Sequence, residues 1–337
     1  MLNWFKRTAV LDSFDLEGVA NLIKSGKVKN IITLSGAGIS TAAGIPDFRS
    51  PSCGIYDNLE EFNLPYPMAV FSIDYFQTNP AAFFEVARRM YQPDARPTLT
   101  HYFVRLLHEK QLLRRHYTQN CDNLERLSGL PEKKFIEAHG TFNTGHCISC
   151  HKEHTFAYMK DEIMRKNVPK CMKLKCGGVV KPGTLQTSIT HSLLYSDVVF
   201  FGENMPRRFY SSLNADFSAC DLLIVMGTSL QVLPFAALIY RVGNNVPRVY
   251  LNRECAPDSE TGFIPFFMRF MVAGFRRSRF RWNEANNWRD VFVQGNCDES
   301  VLKLADLLGW KDELLAMKNT TDAHLSATET DAPSSGR

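Results

Sequence analysis

Four cysteines constrain this chain more than any other feature. They stand as Cys147-x2-Cys150 and, after twenty intervening residues, Cys171-x4-Cys176. Two close-set pairs across such a gap match a tetrahedral zinc site. Each pair offers two sulfurs from one tight turn, and the gap lets the pairs converge. Zn²⁺ accepts four thiolates at about 2.3 Å, which leaves no open position for water or substrate, so the expected metal is structural. Disulfide pairing is the plainer alternative. Against it, Met1 to Val10 carries Lys6 and Arg7 but no long apolar core, and does not read as a secretory signal. The remaining cysteines, Cys53, Cys121, Cys220, Cys255 and Cys297, are scattered singly, as suits a reducing compartment.

The 337 residues suffice for one large domain or two modest ones, and 45% hydrophobic with 22% charged residues is ordinary for a globular chain. A net charge of +4 neither demands nor excludes an anionic partner. No run of eighteen apolar residues suggests a membrane span. A cytoplasmic protein, with the nucleus as an open alternative, is the expectation.

Along the chain, Phe14, Leu16, Val19, Ala20, Leu22 and Ile23 make a helical stripe that Gly26 ends. Val28 to Leu34 reads as a strand. Ser35-Gly36-Ala37-Gly38-Ile39-Ser40 follows it, a Gly-rich turn before small residues that can open a helix, and so a candidate phosphate cradle. The third glycine of a dinucleotide fingerprint is missing, because Thr41 holds its place. Further strands are expected at His116 to Gln119, Leu222 to Met226, Arg248 to Leu251 and Val291 to Val293. Each ends in polar or small residues: Asn120-Cys121-Asp122, Gly227-Thr228-Ser229, Asn252-Arg253-Glu254 and Gly295-Asn296-Cys297-Asp298. In a parallel α/β sheet the ligand crevice lies beyond the carboxyl ends of the strands, so five such ends converge on one site. Residues from about 140 to 181 interrupt this alternation with the zinc module. From Met317 onward the chain is polar and is expected to be a disordered tail to residue 337.

The run Gly36-Ala37-Gly38-Ile39-Ser40-Thr41-Ala42-Ala43-Gly44-Ile45-Pro46-Asp47-Phe48-Arg49-Ser50 resembles the sirtuin family of NAD-dependent protein lysine deacylases. So do Thr118-Gln119-Asn120, Glu137-Ala138-His139-Gly140, the cysteine quartet, Phe201-Gly202-Glu203 and Gly227-Thr228-Ser229, in matching order and spacing. The resemblance covers about residues 12–312. Tyr56-Asp57-Asn58-Leu59, Asn63-Leu64-Pro65-Tyr66-Pro67 and Leu307-Leu308-Gly309-Trp310-Lys311 look closest to the cytosolic, tubulin-directed class I members.

The resemblance implies an α/β fold: a Rossmann-like parallel sheet binding NAD, with a smaller inserted zinc module. It implies deacetylation of acyl-lysine proteins such as histone tails or tubulin, giving free lysine, nicotinamide and O-acyl-ADP-ribose. Longer acyl chains, mono-ADP-ribosyl transfer and a non-catalytic scaffold are the alternatives; membrane and nucleic acid are not required. His139 is the implied base, since neutral imidazole accepts protons near neutral pH. Asn120 would hold ribose hydroxyls or a water, Asp122 would accept from the nicotinamide amide, Arg49 would meet phosphate and Phe48 would cover the face nicotinamide leaves. The cofactor set also includes Gly36, Ala37, Gly38, Ile39, Ser40, Thr41, Asp47, Gln119, Cys121 and Gly227. Thr228, Ser229, Asn252, Arg253 and Glu254 fall to the adenosine half and the backbone at Cys297 to adenine. Val199, Phe200, Phe201, Gly202, Glu203 and Val232 would flank the peptide as added strands.

Each has a plainer reading: Asp122 as a helix cap, Phe201 as core, Cys297 as a small buried hydrophobe. His101, His108, His116 and His146 receive no role. Cys121 departs from the family, where Ile is usual. So do Gly183 to Ser196, an insertion rich in Thr and Ser that is expected to be a surface loop. Between Phe266 and Trp282, five arginines interleave with aromatics, which reads as a solvated face.

Overall fold

Five consecutive buried residues, Ile31–Ser35, form β1, the strand around which the large sheet is laid. Buried on both faces, it pairs in parallel with β2 (Leu113–Thr118) and β8 (Leu222–Met226). The computed structural model describes residues 7–47, 55, 62, 64–92, 94–186, 194–256 and 280–330. Beyond β2 lies β3 (Phe135–Glu137), and beyond β8 lie β9 (Arg248–Asn252) and β10 (Asp290–Gln294), giving the parallel order β10-β9-β8-β1-β2-β3. The chain winds one way from β1 and the other way from β8. That reversal opens a crevice at the carboxyl ends of the strands. β3, three residues long, has no signal of its own in the sequence.

One face of the sheet is covered by α1 (Leu16–Lys24), α4 (Leu99–Glu109), α8 (Cys297–Leu308) and α9 (Lys311–Thr330), which pack against one another over Ile31, Ile224, Val249 and Val291. The Asp15 side chain caps α1 by accepting from Gly18 N at 2.9 Å, and Gly26 at φ 73° ends it. The other face is covered by α7 (Arg207–Phe217) and the 3-10 segment Phe235–Tyr240. Between β9 and β10 sits a buried ion pair, with Arg248 Nε 2.7 Å from Asp290 Oδ1 and Nη2 2.8 Å from Oδ2.

The zinc module builds on an antiparallel sheet in the order β5-β4-β6-β7: β4 (Thr144–Cys147), β5 (Glu153–Thr155), β6 (Val180–Gln186) and β7 (Leu194–Asp197). It does not stand alone over 140–181. Helices α2 (Ile73–Thr78), α3 (Pro80–Met90) and α6 (Phe156–Met164) share one core with it through Phe76, Phe83, Phe84, Met159, Val180 and Phe200. So small a sheet cannot bury its own apolar face, and the phenylalanines of α2 and α3 complete it.

Three expectations change. The insertion 183–196 is not a loop throughout: Gly183–Gln186 pairs antiparallel with Leu194–Asp197, because alternating Thr184, Leu185, Tyr195 and Ser196 suit a ladder. Residues 187–193 lie outside the described residues. The tail is helical as far as Thr330, since Leu314 and Met317 reach the core and its polar groups find partners on α4. Tyr102 donates to Asp322 at 2.7 Å and Arg105 to Thr321 at 3.1 Å. Of the Arg/aromatic stretch, only Phe280 to Trp282 is described. There Trp282 stacks on Tyr250 at 5.6 Å, so this end packs against the sheet. No helix among the described residues is long and apolar enough to cross a membrane.

Candidate active site

The crevice beyond the sheet is a cleft of about 1240 Å³ roofed by the small domain. Each strand of the large sheet contributes its carboxyl end. Ala37 to Thr41 follow β1, Gln119 to Asp122 follow β2, His139 follows β3, Gly227 to Ser229 follow β8, Asn252 to Glu254 follow β9, and Cys297 lies past β10. Asp47, Val199 to Glu203 and Val232 complete the walls. Gly36 sits behind the lining, and Phe48 and Arg49 lie outside the described residues.

The turn after β1 differs from a helix start. It is two single 3-10 turns, Ala37–Ile39 and Thr41–Ala43, ended by Gly44 at φ 83°. No helix dipole is available there. The N–H groups of Gly36, Gly38, Ile39 and Ser40 already donate to carbonyls of Met226, Gly227, Gly36 and Ala37. The glycines serve close approach instead: a Cβ on Gly38 would lie 2.7 Å from Gly227 Cα. Two strand-end loops therefore touch backbone to backbone, and their side chains form the cleft wall.

Those side chains form a connected polar floor. Asn120 Nδ2 donates to Gly36 O and Ser40 Oγ, both at 3.2 Å. Ser40 Oγ donates to Asp122 Oδ2 at 2.6 Å, while Asp122 Oδ1 accepts from Leu124 N at 3.0 Å and so braces the turn into the short helix α5 (Leu124–Leu127), whose N-cap is Asn123. Both Asp122 oxygens are thus held by donors of the protein itself. Burial, with the Glu125 charge beside it, drives Asp122 up to about 7. Thr228 donates to Gln119 Oε1 at 2.6 Å and Tyr250 donates to Thr228 O at 2.7 Å, which fixes the β8 loop against the β2 loop. Arg253 ties Asp47 to the β9 end at 2.8 Å.

His139 lies on this floor, its ring 6.2 Å from that of Phe235. Loss of solvent pushes it down to about 4, against a hydrogen bond to the Gln119 backbone that favours the cation. The imidazole is neutral at physiological pH and can accept a proton. His139 O accepts from Val199 N at 2.9 Å and from the Cys121 thiol at 3.4 Å, so His139, Val199 and Cys121 are joined directly. Phe201 pairs with Phe71 and Ile73 through backbone bonds and leaves its ring 40% exposed toward the cleft side. Phe200 and Glu203 do different work. Phe200 is buried against Phe76 and Phe83. Glu203 accepts from buried Lys181 at 2.5 Å and from Phe200 N at 2.9 Å, which closes the turn.

The four cysteine sulfurs lie within 4.8 Å of one another. Cys147–Cys176 and Cys150–Cys171 Sγ atoms are each 3.5 Å apart. A disulfide requires about 2.05 Å. Tetrahedral zinc at about 2.3 Å from each sulfur sets sulfurs about 3.8 Å apart. The donor set and spacing fit zinc, and Ser149 N and Lys173 N point at Cys147 and Cys171 Sγ at 3.4 Å, supporting thiolate charge.

Sequence reasoning missed one wall. Phe71, Ala87, Met90, Tyr91, Phe156 and Ile163, from the 3-10 turn before α2, from α3 and its end, and from α6, make an apolar side to the cleft. The helically spaced aromatics from Phe71 to Tyr91 were the available signal.

The Sir2 family model matches residues 36–234. The chain is 49% identical over 310 residues to NAD-dependent protein deacetylase sirtuin-2 of Danio rerio, covering 91% of this chain and 76% of that one. It is 46% identical over 306 residues to NAD-dependent protein deacetylase hst2 of Schizosaccharomyces pombe, covering 91% and 80%. To NAD-dependent protein deacetylase sirtuin-3 of Mus musculus it is 42% identical over 302 residues, covering 90% and 78%.

Proposed function

The chain belongs to the Sir2 family and is an NAD-dependent protein deacetylase, and on that premise we propose how its residues divide the work. NAD, when bound, would supply a ribose carbon open to attack by the acyl oxygen as its bond to nicotinamide breaks. His139 accepts the ribose hydroxyl proton. Asn120, anchored through Gly36 and Ser40, holds the hydroxyl toward it. Asp122 accepts from the nicotinamide amide with the lone pairs that Ser40 and Leu124 leave open. Thr228, Ser229, Asn252 and Glu254 bind the adenosine half at the β8 and β9 ends. Val199, Gly202 and Val232 receive the peptide by backbone pairing. That imposes weak sequence demand, and so admits lysines of histone tails and tubulin alike. The apolar wall from Phe71 to Ile163 gives room for acyl chains longer than acetyl. A cytoplasmic site of action, with access to the nucleus, accompanies this reading.

The observation that carries it is His139, stripped of solvent, sharing with Asn120 one cleft where six strand ends converge. Mass spectrometry of an acetyl-lysine peptide incubated with protein and NAD tests it. One nicotinamide and one O-acetyl-ADP-ribose per lysine freed is expected. ADP-ribose transferred onto the peptide in place of deacetylation would overturn it.

A further inference from the structure

Beneath the nicotinamide end of the floor lies a buried polar cluster that the reaction described above does not use. His116, fully buried on β2, has Nδ1 2.7 Å from Thr33 Oγ1, and its Nε2 is 3.1 Å from Ser35 Oγ and 3.4 Å from Glu125 Oε1. Glu125 is only 2% exposed. Its other neighbour is His101 of α4, whose Nδ1 accepts from Thr98 N at 3.2 Å, while Thr98 Oγ1 donates to Ile39 O at 2.8 Å. Ligand-bearing atoms of His101, Asp122 and Glu125 all lie within 4.8 Å of one another. The cluster therefore runs from the underside of β1 and β2 to the carboxyl group of Asp122.

We propose that Glu125 is a positioning residue for deacetylation: clamped by His116 and lying against Asp122, its buried carboxylate sets the charge on Asp122 and so the pH range in which Asp122 accepts from the leaving amide. The proposal rests on the reading of Asp122 given above. Two carboxyl groups this close in a dry interior do not ionise together with ease, and the one with better donors keeps its charge. Burial pushes Glu125 up, but the His116 hydrogen bond, with His101 and Thr118 beside it, outweighs burial and holds the group well below its usual range. Asp122 has one hydroxyl and one backbone N–H and is driven up, by burial first and by Glu125 second. The other titratable groups facing the pair are Glu137 on β3, itself paired with Arg126 at 2.8 Å, and His101, which also senses Asp298 of α8. A protonated Asp122 cannot serve as the full acceptor for an amide N–H, so kcat/KM for NAD falls on the acid side with Asp122. His139, driven far lower, does not set that limb.

The test is kcat/KM for NAD from about pH 5 to about pH 9 in the wild type, Glu125→Gln, Glu125→Asp and Asp122→Asn. Glu125→Gln removes the charge and is expected to move the acid limb down by on the order of one pH unit. Glu125→Asp keeps the charge and is expected to hold the limb near its wild-type position, whatever its absolute rate. A purely structural role for Glu125 would lower the rate at every pH without moving the limb, and would overturn the proposal. Asp122→Asn is expected to abolish the limb. If it persists there, the reading of Asp122 falls and the proposal with it. If it vanishes there but stays put in Glu125→Gln, only the proposal falls. A carbon-13 titration of the Asp122 carboxyl in the unsubstituted protein, with no variant to fold, is expected to give a midpoint well above the usual aspartate value. A midpoint at or below about 4 would overturn the proposal.

Discussion

As the proposed base, His139 depends above all on where it is held. Its ring is stripped of solvent and kept neutral, and its carbonyl is bonded to Val199 and Cys121, so the positions of His139 and Val199 are set together. Cys121 stands beside it, where the family resemblance implies Ile. A thiol fills less space than Ile, and a lost apolar contact of that size costs on the order of 1 kcal/mol, or several-fold in affinity. Cys121→Ile is therefore expected to be inhibited more tightly by nicotinamide at fixed NAD and peptide; equal inhibition constants would count against a loose pocket. Burial first, and the charges of Glu137, Asp122 and Glu125 after it, drive the Cys121 thiol well up. Iodoacetamide mapping should label exposed Cys255 well before Cys121, and labelling in the reverse order would show an activated thiol. At this scale the placing of Asn120 and Asp122 in the cleft was legible, because they end a strand in polar punctuation, whereas His139 was visible only through the family resemblance. Glu203 was not: only the fold brings Lys181 onto it. The glycines were legible as glycines but not as a loop-to-loop contact with Gly227.

Among the elements, the cysteine knuckles and the last helix carry the clearest consequences. Metal analysis of folded protein should find one zinc per chain. Cys150→Ala should lose it and lower activity indirectly, because Val180 and Phe200 of the shared core are tied to the module the metal closes. Active, folded protein without zinc would refute this. Helix α9 binds α4 through Asp322 to Tyr102 and Thr321 to Arg105. Truncation before Lys318 should cost about 1–3 kcal/mol in denaturant unfolding, the range for a few lost hydrogen bonds, with catalysis little changed. No loss of stability would return the segment to the status of a solvated tail. Composition suggested such a tail because a Thr- and Asp-rich segment has little to bury; the partners that order it lie about two hundred residues earlier in the chain. The paired ends of the 183–196 insertion, and the docking of α2 and α3 onto the zinc module, were hidden for the same reason: the matching faces are remote in sequence.

The whole molecule titrates in a way its buried groups set. His101 and His139 are driven down to about 4 from an ordinary value of 6.5, so the unfolded chain takes up protons first and stability is lost as pH falls between those values. Asp122 and Glu137 are driven up to about 7 from 3.8 and 4.5, so the folded chain takes up protons first and stability is gained as pH falls toward those ordinary values. Two groups oppose two across the shared window. Glu125, held low, adds a loss only below its ordinary 4.5. Denaturant midpoints should therefore change little between pH 6.5 and 4.5 and fall steeply below 4.5. A steep fall already between 6.5 and 4.5 would show that the carboxyl pair does not protonate as described. The α/β class and the crevice at the strand ends were legible from strands ending in Gly, Asn, Thr and Ser. The sixth strand end, which presents His139, was not, since three residues leave no periodicity to read. That end is also where the account is most exposed. The most direct test compares wild type and His139→Tyr for NAD-dependent loss of acetyl from a lysine peptide, with NAD binding measured on both by calorimetry. The account predicts turnover lowered at least 100-fold, on the order of a general-base contribution, with NAD affinity retained. Turnover within a few-fold of wild type in the folded variant would contradict it.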